Sequence, residues 1–150
     1  MKLFVCVLIT FAVSACTAGP EQSRAHASEA WSGAHCVTDG PRQQRLSTAQ
    51  LQQSAWAEHI QPSEPAQSLL IVRAGSRPTA GYTLRLAQQS RQHGKLQLVI
   101  EERQPAPDTM RAQVMTSPCI ALWVPAAMEL DVQWSQASMP SESANQKRPY

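Results

Sequence analysis

The chain has 150 residues, with 13 Lys and Arg against 11 Asp and Glu, and its formal net charge is +2. So small a charge provides no electrostatic field for binding nucleic acid or an acidic membrane surface. The length allows one domain with a hydrophobic core, although a domain of this size would be stabilised by a covalent cross-link.

The N-terminal segment has the order of residues found in a bacterial secretory signal. Lys2 precedes the uncharged apolar run Leu3–Val13, which is typical of a signal peptide and is too short to span a bilayer. The run ends in the tetrapeptide Val13–Cys16, which resembles the lipobox at which bacterial lipoproteins are cleaved and acylated. We therefore expect a lipoprotein signal peptide at residues 1–15 and a mature protein that begins at Cys16, acylated with palmitate or a similar chain. An ordinary cleaved signal peptide, with Cys16 incidental, is the alternative.

The composition after the signal predicts three further regions. Residues 16–32 are small and polar, which is typical of a flexible tether. A folded domain is expected at 33–137, followed by a disordered tail at 138–150. Thr17, and not Asp, follows Cys16, and in a Gram-negative host this favours a lipid anchor in the outer membrane, with the protein facing the periplasm.

The cysteines predict one disulfide bond. Cys6 would be lost with the signal peptide and Cys16 would carry lipid, so Cys36 and Cys119 remain in an oxidising compartment where a lone pair tends to be oxidised. Closing a loop across their separation of 83 residues would stabilise the folded state by about 4 kcal/mol in the chain-entropy model. Two buried free thiols, too far apart to meet, are the alternative.

The first half of the domain predicts one strand, one turn and one helix. A short strand is expected at 34–37, and Asp39–Pro41 has the residues of a turn. Ser47 or Thr48 is expected to cap an amphipathic helix that runs to about His59, because Ala, Gln, Leu and Trp dominate and neither Gly nor Pro interrupts it.

The second half of the domain predicts strands. The continuous apolar run at 69–72 indicates a strand that is covered on both faces. Two strands in which apolar and polar residues alternate are expected on either side of a hairpin turn, and further strands follow them. The predicted ranges are 82–87, 96–101, 111–116 at an edge, 119–124 and 129–134. Short strands separated by Pro and Gly predict a mainly β (α+β) fold, a small antiparallel β-sandwich or curled sheet with one short N-terminal helix.

Taken as a block, Leu69–Pro125 resembles a known protein family. The block contains the loop Gly75–Tyr82, two alternating strands, and the element Gln113–Cys119 that leads into an apolar strand. This pattern resembles the C-terminal domain of the PrcB family, which is named for a lipoprotein subunit of a bacterial surface protease complex. The resemblance implies an exported, non-catalytic accessory protein that binds a partner. Ala80 stands where members of the family often have a glycine before the position of Gly81.

The loop between the first two strands of this block is the predicted partner-binding site. Its candidate residues are Gly75, Arg77, Pro78, Thr79, Gly81 and Tyr82. Glycines can adopt positive φ and Pro78 fixes its own φ, so we expect a stiff loop that is bent at both ends. Arg77 and Thr79 would offer side-chain contacts at its tip. The alternative is a loop that only turns the chain between two core strands.

The same loop also supports a second interpretation. Pro78–Tyr82 resembles the Asn-Pro-Thr-Thr-Gly-Tyr loop with which chagasin-like inhibitors block papain-type cysteine proteases. Arg77 replaces the Asn of that loop, and the sequence has neither the Gly-rich second loop nor the Arg-Pro-Trp third loop of those inhibitors. Peptidase inhibition is therefore the alternative function, and a structural envelope lipoprotein without a specific partner is the third.

The sequence shows no pattern typical of catalysis or metal binding. The four histidines are scattered along the chain, at His26, His35, His59 and His93. Neither a zinc motif nor a hydrolase elbow is present. Glu101 and Glu102 are adjacent, but neighbouring residues of a strand point to opposite faces and cannot act together, so they are expected to be an ordinary charged strand end. We predict no enzyme activity, no metal and no cofactor, and a partner that is an envelope protein, such as a protease, with no role for nucleic acid or a small-molecule substrate.

Overall fold

The computed structural model describes residues 26–61, 64–106, 110 and 112–137, and in this part of the chain the fold is mainly β. The strands are β1 (Ser28–Gly33), β2 (Gln43–Leu46), β3 (Gln67–Arg73), β4 (Thr83–Gln92), β5 (Lys95–Arg103), β6 (Cys119–Pro125) and β7 (Glu129–Gln136). A short helix α1 (Thr48–Gln52) and a 3-10 helix (Ala55–Glu58) follow β2. The predicted signal peptide, Cys16 and the predicted tail lie outside the described residues. None of the helices described is long and apolar enough to cross a membrane.

The strands form two sheets, which confirms the predicted fold class. The first sheet has the order β1-β6-β3-β2 and is antiparallel throughout. The second has the order β4-β5-β7, and its β5–β7 pair is parallel. Four of the five described strand pairs are antiparallel, as predicted, and the β5–β7 pair is the exception. Between β5 and β7 the chain crosses the first sheet as β6, so β7 returns to the second sheet in the same direction as β5.

The first sheet is buried on both faces. One face packs against the second sheet, with a core that includes Leu70, Val72, Ile120, Leu122, Leu98 and Ile100. The opposite face packs against the helical segment, with a core that includes Leu69, Ile71, Ala121, Leu51, Trp56 and Ile60. Successive side chains of a strand point to opposite faces, so both sets must be apolar. This confirms the prediction that the strand at 69–72 is covered on both sides.

The helical segment is broken where one continuous helix was predicted. Ser47 does cap α1, because its hydroxyl accepts from the Gln50 N–H while the Gln50 side chain accepts from the Ser47 N–H. The chain then leaves the helix, and the Ser54 hydroxyl donates to the Leu51 carbonyl. Leu51 and Trp56 are both buried, yet a regular helix would turn residues five apart away from each other. The break lets both side chains reach the same core.

The domain begins before the predicted boundary at residue 33. Residues 28–32, assigned to the tether, belong to β1, which pairs with β6 from Ser28 opposite Trp123 to Gly33 opposite Cys119. Trp31 packs edge-on against Trp56 with ring centres 5.3 Å apart. These long-range contacts stabilise a strand whose small polar residues show no apolar pattern.

Three other elements differ from the predictions. The strand expected at 34–37 is absent, and His35 forms only an isolated bridge with Ser117. β2 was not predicted, because only Leu46 of its residues is buried. The edge strand expected at 111–116 is likewise reduced, in its described part, to a bridge between Arg77 and Thr116.

Candidate functional site

Three long connections of the fold meet at one end of the two sheets, whereas the segment between β2 and β3 lies at the other end. β1 and β3 both end opposite Cys119, where β6 begins, and β4 begins opposite Arg103, where β5 ends. We call residues 34–42, 74–82 and 112–118 the loop end. The opposite end, which we call the turn end, contains the turns at 93–94 and 126–128.

A disulfide links two segments of the loop end. Cys36 and Cys119 are bonded, with their Cα atoms 5.5 Å apart, which confirms the predicted bridge. The Cys36 N–H also donates to the Ser117 carbonyl at 3.0 Å. The bridge therefore fixes residues 34–42 against the start of β6.

The predicted partner-binding loop is held in place by residues 112–116. The Arg77 N–H donates to the Thr116 carbonyl at 2.7 Å, and the Thr116 N–H donates back to the Arg77 carbonyl at 2.9 Å. The Thr116 hydroxyl donates to the Thr79 carbonyl at 3.1 Å. Gly75 and Gly81 have φ of +82° and +98°, values that favour glycine. The expectation of a loop bent at both ends and stiff between them agrees with this geometry.

Arg77 does not extend from the loop tip as expected. Its guanidinium binds both carboxylate oxygens of Glu102, at 2.6 and 2.9 Å, and lies 5.7 Å from the ring centre of Tyr82. The hydrogen bond to Glu102 raises the pKa of Arg77 above its usual value. Arg77 therefore anchors the loop to β5, and the expectation that it offers a free contact is wrong.

The adjacent carboxylates Glu101 and Glu102 lie on opposite faces of β5, as expected. Both are buried and ion-paired, so they are not the ordinary charged strand end that the sequence predicted. Glu101 accepts from Arg85 at 2.8 Å and from Arg103 at 3.4 Å. The hydrogen bond from Arg85 is the main reason that the pKa of Glu101 is lowered. The two carboxylates have different partners and do not form a joint site.

Large apolar side chains are exposed beside the paired loops. Met115 is 63% exposed and Val114 is 52% exposed, and Met110 is also fully accessible. We call the consecutive residues Val114 and Met115 the apolar patch. Sequence reasoning placed residues 111–116 in an edge strand and did not single them out. The sequence does contain a signal, because Val114 and Met115 are two consecutive large apolar residues. They do not follow the alternation of apolar and polar residues by which a strand buries one face.

A cleft of about 570 Å³ opens on the other side of the loop. Its lining includes Arg42, Arg73, Arg77, Asp39, Ser76 and Ser117. Arg73 is only 6% exposed, and burial lowers its pKa. The described residues contain no group of three or more His, Cys, Asp or Glu that could hold a metal ion. The cleft is thus a basic site, and sequence reasoning missed it because its arginines come from three separate segments.

The architecture defines a small, disulfide-linked β-sandwich domain in which three long loops gather at one end. Residues 68–125 match the family model described as PrcB C-terminal. The match supports the resemblance predicted for this segment, and the matched family is of a non-catalytic, accessory type. The matched segment contains the predicted partner-binding loop and the apolar patch. Comparison with curated proteins and with solved structures gave no significant match.

Proposed function

We propose that this chain is a non-catalytic accessory lipoprotein of the cell envelope, anchored through acylated Cys16, that binds a protein partner with its loop end. The observation that carries this proposal is the apolar patch. Exposed large apolar side chains that lie close together mark interaction surfaces more often than isolated ones do. The match to an accessory-type family supports the same interpretation.

The rigidity of the loop end also supports binding. Hydrogen bonds from Thr116 and the ion pair of Arg77 with Glu102 hold the loop on two sides. A surface that is ordered before it binds loses less conformational entropy on docking. The partner would therefore meet a preformed surface.

The direction of β1 fits an anchor at the N-terminus. The strand enters the first sheet at Ser28, opposite Trp123, and leaves it at Gly33, opposite Cys119 at the loop end. The chain thus reaches the domain from the side of the turn end. A lipid on Cys16 would therefore be joined to the domain through the turn end, which leaves the loop end free for a partner.

The proposal is tested by partner capture from native membranes after chemical crosslinking. The wild-type chain should recover a reproducible partner, and the double variant Val114→Ser, Met115→Ser should lose it. Both side chains are exposed, so the double variant should keep its folding stability within about 0.5 kcal/mol. Gln92→Ser, an exposed substitution at the turn end, is the control and should retain the partner. Failure to recover any partner, or equal recovery by the double variant, would contradict the proposal.

A further inference from the structure

The cleft beside the loop carries an excess of positive charge. Arg42, Arg73 and Arg77 line it, together with Asp39. Arg77 is neutralised by its bidentate ion pair with Glu102. Asp39 offsets one of the two remaining arginines. One positive charge of the lining is therefore left without a partner among these groups.

Arg73 lies below the surface of the cleft, where several hydrogen bonds hold it. Its guanidinium donates to the Thr38 carbonyl at 3.1 Å, the Pro41 carbonyl at 2.8 Å and the Gln44 side chain at 3.0 Å. It also donates to the Thr38 hydroxyl at 3.1 Å, so all four acceptors are neutral. Burial lowers the pKa of Arg73, and the nearby charge of Asp39 acts in the opposite direction. Asp39 therefore offsets Arg73, and the positive charge left in the lining is that of Arg42.

Arg42 provides a group that can contact an anion in the cleft directly. Its side chain is exposed, and its guanidinium carbon lies 4.2 Å from the ring centre of Trp134. Stacking on an indole uses the face of the guanidinium and leaves the N–H groups on its edge available. That edge matches a carboxylate in a two-point hydrogen-bonded pair. The hydroxyls of Ser76 and Ser117, which also line the cleft, are further potential donors.

We propose that this cleft binds the carboxylate of an Asp or Glu side chain that a protein partner presents. The inference rests on the proposed function, and it specifies the chemistry of the partner. One excess positive charge matches a carboxylate monoanion better than a phosphate, which carries up to two negative charges at neutral pH. The cleft and the apolar patch both adjoin the loop at 74–82. An acidic residue next to an apolar segment could therefore reach both sites at once.

The test is an NMR titration of the ¹⁵N-labelled full chain with two blocked tripeptides, acetyl-Gly-Glu-Gly-amide and acetyl-Gly-Gln-Gly-amide. The Glu peptide should shift the amide signals of Gly40, Gly75 and Ser76 in a saturable way, and the Gln peptide should not. Arg42→Gln should weaken binding of the Glu peptide at least about tenfold, which is the effect of losing a charge-assisted hydrogen-bonded pair. Arg91→Gln, which removes an exposed arginine near the turn end, should leave the binding unchanged.

Three outcomes would overturn the inference. The first is equal shifts with the Glu and Gln peptides, and the second is equal weakening by the variants of Arg42 and Arg91. The third is tighter binding of inorganic phosphate than of the Glu peptide, since this would assign the cleft to a different anion. Arg42→Lys is a second variant that keeps the charge but loses the planar edge, and it should bind with intermediate affinity.

Partner capture separates this inference from the proposed function. If the wild-type chain recovers a partner through the apolar patch but does not bind the Glu peptide, only the carboxylate site fails. If the Glu peptide binds and no partner is recovered, the proposed function fails while the site remains. When both hold, Arg42→Gln should reduce partner recovery and Arg91→Gln should not, which shows that the carboxylate belongs to the partner.

Discussion

The two ends of this small sandwich are built differently. At the turn end, His93 and Gly94 have positive φ, as in the two-residue turns that best fit a hairpin. Arg45 donates to the carbonyls of Pro125, Ala126 and Met128 and so closes the neighbouring turn. At the loop end, a disulfide and an ion pair join residues that are far apart in sequence. These bonds order the loops and leave the apolar patch exposed.

This difference shows how a domain of modest size could support the proposed binding surface. Loops carry function when a rigid scaffold positions them. The long-range bonds of the loop end fix its backbone without covering the side chains of Val114 and Met115. The Arg45 bonds of the turn end are also long-range, but they close a short turn and do not order a long loop. We therefore expect substitutions at the two ends to affect stability and binding differently.

The largest effect should come from removing the disulfide that fixes the loop end. The double variant Cys36→Ala, Cys119→Ala should lower the free energy of unfolding by about 4 kcal/mol, because the unfolded chain regains the entropy that the closed loop restricted. Urea denaturation at neutral pH measures this loss. Chemical reduction of the wild-type protein should give a similar loss, and a change below about 1 kcal/mol would contradict the entropy model on which this prediction depends.

A smaller effect should separate the two adjacent carboxylates of β5. Glu102→Gln should cost about 2 kcal/mol, because it weakens a buried, charge-assisted pair. Glu101→Gln should cost less, since its partners Arg85 and Arg103 are about half exposed. Hydrogen exchange of the Arg77 and Thr116 amides should accelerate only in the Glu102 variant. Equal acceleration in both variants would show that Glu102 does not anchor the loop.

A matched pair of glycines compares the two ends directly. Gly75 and Gly94 have φ of +82° and +78°, and a Cβ on either would meet no atom within 4 Å. Alanine at each position should therefore cost a similar amount, about 1 kcal/mol, from the left-handed backbone alone. Thermal unfolding measures this cost. Gly75→Ala should also weaken partner capture and Gly94→Ala should not, so equal binding by the two variants would argue against a role for the loop.

The smallest effect should be a loss of folding stability at low pH. Arg85 lowers the pKa of Glu101 below its ordinary value of 4.5, so the folded state binds this proton less readily than the unfolded state does. The stabilisation is complete above pH 4.5 and is lost as the pH falls through the lowered pKa. Urea denaturation from pH 7 to pH 3 should therefore show the difference between wild type and Glu101→Gln disappearing in acid. A difference that stays constant over this range would contradict the prediction.

The parts of the fold that the sequence predicts are those with an apolar pattern of their own. β3 and β6 appear as continuous apolar runs because both faces of each strand are buried. β1 and β2 carry no such pattern, since pairing with a neighbouring strand and a few contacts, such as Trp31 with Trp56, stabilise them. A pattern within one segment cannot reveal an element that another segment stabilises.

The candidate site shows the same limit. The glycines and proline of the loop predict its shape, because they restrict their own backbone. The roles of Arg77 and Glu102 depend on a contact between residues 25 apart in sequence, and local alternation says nothing about that contact. The cleft of Arg42 and Arg73 depends on the pairing of β2 with β3 and on Trp134 of β7. Its chemistry becomes visible only when the sheets are assembled.

The central claim is that the loop end, and not the turn end, meets a protein partner. Site-specific photo-crosslinking in native cells tests it most directly, with a photoreactive amino acid placed at Val114 or Met115 and, as the control, at Gln92. One defined adduct is expected from the two loop-end positions and none from Gln92. An adduct from Gln92 alone, equal adducts from both ends, or no adduct from either loop-end position would contradict the claim.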